Sequence, residues 1–215
     1  MATAMTFPLR FGLPAKFTPI DLSADFETRM KRLHNQLASA APNVSEAERL
    51  HLLLANQYAV ERMLTEGVIY AATFLGRSDR NPTTATTAQF TVMVHDSAAR
   101  GGRPLETITD ALRSERPRAH TQLVDLPIGR CLAVMEDNRF QTLTDLLGRH
   151  TGVTHHVRQL QLIFPLVDRG QLAFFTISTE CLRDWDEYVR IMAEICTSIR
   201  WADTGGSSIS NVLDG

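Results

Sequence analysis

From Val157 to Val167 the chain alternates with a period of two. Leu160, Leu162, Phe164 and Leu166 fall on one side, while Val157, Gln159, Gln161 and Ile163 fall on the other. That period predicts a strand with one buried face. Pro165 removes a ladder donor, which suits an edge position or a strand end. Asp168-Arg169-Gly170 reads as a hairpin loop, because glycine reaches the left-handed backbone conformation that reverses a strand. Leu172–Ile177 (LAFFTI) returns as an antiparallel strand rich in aromatic residues. Ser178 and Thr179 offer hydroxyls to the open amides of a helix. In that helix Leu182, Trp185, Val189, Met192, Cys196 and Ile199 recur three or four residues apart and form one apolar stripe.

The same reading extends upstream. Phe7–Leu13 is a short edge strand flanked by Pro8 and Pro14. Asp21 or Ser23 caps a helix whose apolar line is Phe26, Met30, Leu33, Leu37 and Ala40. Ser45 and Glu48 form a capping box for a second helix, with Ala47, Leu50, Leu54, Tyr58 and Leu64 inward and Gly67 as its stop. Together they make a helical hairpin over 24–66. Val68–Leu75 and Ala88–His95 are strands joined by a polar, Thr-rich loop over 77–87. Gly101-Gly102 precedes a helix with Pro104 in its first turn and Leu105, Ile108 and Leu112 inward, and Pro117 ends it. Thr121–Leu126 and Arg130–Glu136 are two further strands. Asp137–His156 reads either as a helical turn around Leu143, Leu146 and Leu147 or as a loop folded over the sheet. Consecutive strands without intervening helices imply antiparallel pairing. The expected fold is α+β: a mainly antiparallel sheet of about six to seven strands with helices on both faces, an α/β/α sandwich carrying an inserted helical hairpin. Residues 1–202 form a single domain, and the Gly/Ser-rich 203–215 a flexible tail.

The Pro127-Ile128-Gly129-Arg130 turn, the hairpin from Val157, Phe175-Thr176-Ile177-Ser178-Thr179, Trp185 to Tyr188, and the ending Ser198-Ile199-Arg200-Trp201 together resemble the PsbP/Mog-type α/β/α sandwich superfamily. That superfamily includes a photosystem II extrinsic subunit, a Ran-binding nuclear import factor and many bacterial proteins. The resemblance spans roughly residues 120–201. It implies a fold whose known members mostly bind other proteins rather than catalyse reactions. It transfers no functional residue.

Composition narrows the function classes. The 215 residues are 44% hydrophobic, enough for a full core. A formal charge of −2 lacks the concentrated basic surface of a nucleic-acid binder. Neither a signal-peptide pattern nor an apolar run long enough to span a bilayer is evident, so a cytoplasmic protein without membrane insertion is expected. Cys131, Cys181 and Cys196 have no paired or metal-type spacing.

Candidate chemistry is sparse. His150, His155 and His156 are the densest group of potential ligands, but adjacent histidines on a strand face opposite ways, and no HExxH or paired-Cys motif accompanies them. No metal or other cofactor is expected. Gly101-Gly102 between arginines lacks the spacing of a nucleotide loop. Cys131 reads as a buried mid-strand thiol. The helical hairpin either caps a face of the sheet or, with the 77–87 loop, builds a docking surface that includes Arg29, Arg32, Arg77 and Arg80. The first functional expectation is a non-enzymatic protein-binding module, an adaptor, chaperone-like or assembly factor, possibly one tied to secretion. Its partner is a protein, and homodimerisation through an edge strand or the hairpin is compatible with it. The alternative is a small-molecule-binding domain or hydrolase with a pocket near 137–156 using His150, His155 or Cys131.

Overall fold

A computed structural model describes residues 7–40, 46, 57, 60–81, 85–97, 104–144 and 150–202. Their order is β1 (Leu9–Arg10), β2 (Phe17–Ile20), α1 (Phe26–Ala40), β3 (Val68–Arg77), β4 (Ala85–Asp96), α2 (Pro104–Glu115), β5 (His120–Leu126), β6 (Gly129–Thr144), β7 (His150–Leu166), β8 (Gln171–Thr179), α3 (Trp185–Ser198) and β9 (Arg200–Trp201). Residues 60–65 are also helical. The chain is α+β, with a seven-stranded sheet in the order β2-β3-β4-β8-β7-β6-β5 and every neighbouring pair antiparallel. A separate two-stranded ribbon pairs β1 with β9. Among the described residues nine strands form, more than expected: β2 and β9, four and two residues long, are too short to show a period.

The alternation in β7 places Leu162, Phe164 and Leu166 in the main core. Ile163, on the other side of the strand, is buried as well, beneath Leu105 of α2. Pro165 lies one residue from the end of β7, a central strand, so it marks a strand end and not an edge. Gly170 adopts φ +61° and closes the β7–β8 turn, and Gly67 at φ +79° ends the helical stretch before β3.

The main core joins Phe74, Phe90, Phe164, Phe175 and Ile177 to Tyr188, Ile191, Met192, Ile195 and Ile199. Phe175 lies at its centre, its ring 5.4 Å from that of Phe164 and 5.5 Å from that of Phe11. A second cluster joins Leu105, Ile108 and Leu112 of α2 to Leu132, Val134, Ile163 and Phe174. Those strand residues alternate with the ones in the main core.

Three local expectations need correction. The buried stripe of α3 runs through Trp185, Tyr188, Ile191, Met192, Ile195 and Cys196, while Leu182 and Val189 are exposed. The helix begins at Trp185 after a tight turn over Leu182–Asp184, so Ser178 and Thr179 do not cap it. Asp25, not Asp21 or Ser23, caps α1 by accepting from the Thr28 amide at 2.8 Å. The capping box at Ser45 and Glu48, Gly101-Gly102 and the 203–215 tail lie outside the described residues.

Candidate functional site

Antiparallel order brings the ends of β3, β6 and β8 and the starts of β4, β5, β7 and α3 to one end of the sheet. Two groups of polar side chains meet there.

The first group fastens α3 to the β3–β4 loop. The Ser78 hydroxyl donates to Asp184 Oδ1 at 2.5 Å and accepts from the Asn81 amide at 3.2 Å. Asp184 is 5% exposed, and its Oδ2 has no hydrogen-bond partner among the described residues, with Arg183 Nε 3.6 Å away. Thr86 and Tyr188, both buried, share a hydroxyl–hydroxyl bond of 2.6 Å. The Thr179 hydroxyl donates to the Thr87 carbonyl and accepts from the Cys181 amide at 2.9 Å. Burial pushes the Asp184 carboxyl up, but hydrogen bonds from Ser78 and Thr86 and the Arg183 charge outweigh it and hold the group below its ordinary range. Cys181 follows the same balance: burial raises the thiol, and donors led by the Thr87 amide bring it below its ordinary value. Burial drives Tyr188 upward. Among these residues no base stands beside the thiol, so the group lacks the nucleophile–base pair that covalent catalysis needs. Its chemistry is that of a buried polar lock.

The second group surrounds a two-stranded arm. β5 pairs with β6 only as far as His120 opposite Met135, and β8 pairs with β7 only from Thr179 opposite Arg158. Beyond those points Glu136–Thr144 and His150–Val157 pair with each other alone. At the rise of an antiparallel strand the arm projects about 30 Å. At its base Arg158 forms a bidentate pair with Asp137 (2.6 and 2.7 Å), and its guanidinium lies 5.5 Å from the centre of the Trp185 ring. The Arg158 hydrogen bonds hold the Asp137 carboxyl below its ordinary range. Beside this base runs a groove of ≈ 550 Å³ lined by Arg118, His120, Met135, Glu136, Asp137 and Arg139.

The residues singled out from sequence fall on several elements. Arg29 is half-buried on α1, donating to the Ala24 carbonyl and, at 3.3 Å, to Gln57 Oε1. Arg32 pairs with Asp21 at 2.6 Å. Hydrogen bonds from Ser23 and Arg32 lower the Asp21 carboxyl to about 2. Arg77 ends β3, and Arg80 pairs with Asp186 in the first turn of α3, so these two arginines belong to the α3 end. β3 and β4 extend into the predicted 77–87 loop, of which 82–84 lie outside the described residues.

The segment 137–156 is neither helical nor folded over the sheet: apart from 145–149, which lie outside the described residues, it is the arm itself. Leu143 lies in β6, while Leu146 and Leu147 are outside the described residues. His150 stands opposite Thr144 and His155 opposite Phe140, nine strand positions from Cys131. That separation is about 30 Å, so the structure does not bring these three together. Cys131 is fully buried with its thiol raised to about 11, and Cys196 is buried and raised to about 12. Burial is the leading cause in both. Among the described residues no cluster of His, Cys, Asp and Glu is arranged to hold a metal, and no helix is long and apolar enough to cross a membrane.

Sequence reasoning missed Asp184, Tyr188, Thr86 and the Asp137–Arg158 pair. The one signal within reach was Asp184 and Tyr188, four residues apart on an otherwise apolar helical line. No family model, curated protein or solved structure matches the chain.

Proposed function

We propose that this chain is a non-enzymatic protein-binding module, with the β6–β7 arm as its principal docking element. The carrying observation is that both strands of the arm run past their neighbours, leaving main-chain donors and acceptors on two outer edges. Exposed edges of this kind accept strands from other chains. A two-stranded ribbon is marginal alone, so a length of about 30 Å held at its root by the Arg158–Asp137 pair is consistent with use in binding. The arginines at the α3 end, Arg77 and Arg80, extend the surface along the same end of the sheet.

We also infer an α/β/α arrangement. Its support is the alternation of buried positions: Ala173, Phe175 and Ile177 pack in the cluster with α3, and Phe174 in the cluster with α2. Kinship with the PsbP/Mog-type sandwiches is proposed on that arrangement and on the sequence likeness over 120–201.

The test is site-specific photocrosslinking in a native extract, with benzoylphenylalanine placed at Asn138, Arg80 or, as a control on α2, Asp110. A discrete adduct from position 138 or 80 and none from 110 supports the module. Identical patterns or no adduct from all three positions refutes it.

A further inference from the structure

We propose that the free edge of β6 and the groove beside it bind an extended, acidic peptide segment of the partner protein. This rests on the protein-binding reading above and names the chemistry of the partner.

Around the groove stand Arg116, Arg118, Arg139, Arg158 and His120 against two carboxylates, Glu136 and Asp137. Both carboxylates are engaged. Glu136 accepts from Arg116 at 3.3 Å and from Gln159 at 3.2 Å, and Asp137 is held bidentately by Arg158. Arg118 and Arg139 are exposed, and among the described residues neither has an ion-pair partner. Among the described residues, then, Arg118 pairs with no carboxylate, and Arg139 feels the charge of Asp137, whose oxygens Arg158 already holds. Guanidinium is the side chain best shaped to take a carboxylate through two parallel hydrogen bonds.

The backbone supplies the second part. β5 stops at His120 opposite Met135, while β6 continues to Thr144. A peptide added beyond His120 would continue the ladder where β5 leaves it. In an extended peptide, side chains two positions apart share one face at a spacing of about 6.8 Å. Carboxylates at such positions would face the arginines while the amides between them bond to β6. A helical or compact ligand would leave the β6 edge unpaired, and a basic one would meet Arg118 and Arg139 with like charge. The occupant favoured by both features is an acidic strand.

The probe is a fluorescein-labelled octapeptide alternating glutamate and valine, titrated with the full chain and read by fluorescence anisotropy. Saturable binding that weakens with added salt is expected, since exposed charge pairs are screened. Arg118→Glu and Arg139→Glu should each weaken it by about tenfold. Both residues are exposed, so circular dichroism and thermal melting of the variants should match the parent chain. A peptide N-methylated at every internal amide keeps its carboxylates but has no main-chain donor for the ladder, and should not bind.

Absence of binding, equal binding of the lysine-for-glutamate peptide, equal binding of the N-methylated peptide, or indifference to both charge reversals would each overturn the proposal. So would a dimer by light scattering that Arg139→Glu dissociates, because the edge would then belong to a second copy. If the peptide fails while position 80 still gives a crosslinked partner, the groove proposal falls and the binding module stands. If crosslinking fails as well, both fall.

Discussion

Replacing Ser78 by alanine removes the hydroxyl that donates to Asp184 Oδ1 at 2.5 Å. The carboxylate is 5% exposed and its other oxygen already lacks a hydrogen-bond partner among the described residues, so water cannot readily replace the lost donor. Hydrogen bonds to charged groups contribute about 1.5–3 kcal/mol, and leaving such a group buried without its donor costs a similar amount. We expect Ser78→Ala to destabilise the chain by about 2 kcal/mol. For a chain of this size that lowers the melting temperature by about 4–8 °C. Asp184→Asn keeps an acceptor for Ser78 and removes the buried charge, so its cost should be about 1 kcal/mol or less. The acid limb gives a second readout. Folded Asp184 titrates below the unfolded carboxyl, so its contribution is complete above the unfolded value and is lost as pH falls through the folded one. Ser78→Ala should flatten that acid loss, and Asp184→Asn should remove this residue's share. Urea unfolding followed by tryptophan fluorescence, with Trp185 beside the lock as reporter, measures all three chains. A Ser78→Ala change within about 0.5 kcal/mol of zero, the usual span of surface substitutions, would refute the reasoning.

Tyr188→Phe removes one hydrogen bond of the buried Thr86 hydroxyl and should cost about 1 kcal/mol by the same assay. Timed iodoacetamide labelling read by intact mass should add one adduct to the native chain, at Cys181, and three in urea; native modification of Cys131 or Cys196 would contradict their burial. Phe175→Ala empties a site bordered by the rings of Phe7, Phe11, Phe90 and Phe164 and should cost about 3–5 kcal/mol in equilibrium unfolding.

The sequence made the β7–β8–α3 unit legible because each of its elements carries a period over many residues. Its helix phase is one step away from the stripe the spacing predicts: Tyr188, Ile191 and Ile195 are buried, and the equally spaced Leu182 and Val189 are exposed. The arm was hidden for a different reason. Its strands pair only with each other, so neither needs a continuous buried face, and the period of two that marks β7 from Val157 onward carries no weight before it. The lock was hidden because Ser78, Thr86, Thr179 and Asp184 are ordinary turn and strand residues. Their convergence is set by tertiary pairing: Ser78 and Asp184 stand 106 positions apart in the chain. Arg29 and Arg77 were joined through the expected meeting of the helical hairpin with the 77–87 loop; Arg29 lies on α1 and Arg77 at the end of β3.

The outer edge of β6 is where the proposed acidic strand would pair. Hydrogen–deuterium exchange of the full chain, resolved to single amides by NMR, measures that edge. In the free chain, the amides of 136–144 that point away from β7 should exchange rapidly while those of 160–164 stay protected, and saturating acidic peptide should protect the former. Amides of 136–144 that are already protected in the free chain, or that remain unprotected with the peptide bound, would contradict that pairing.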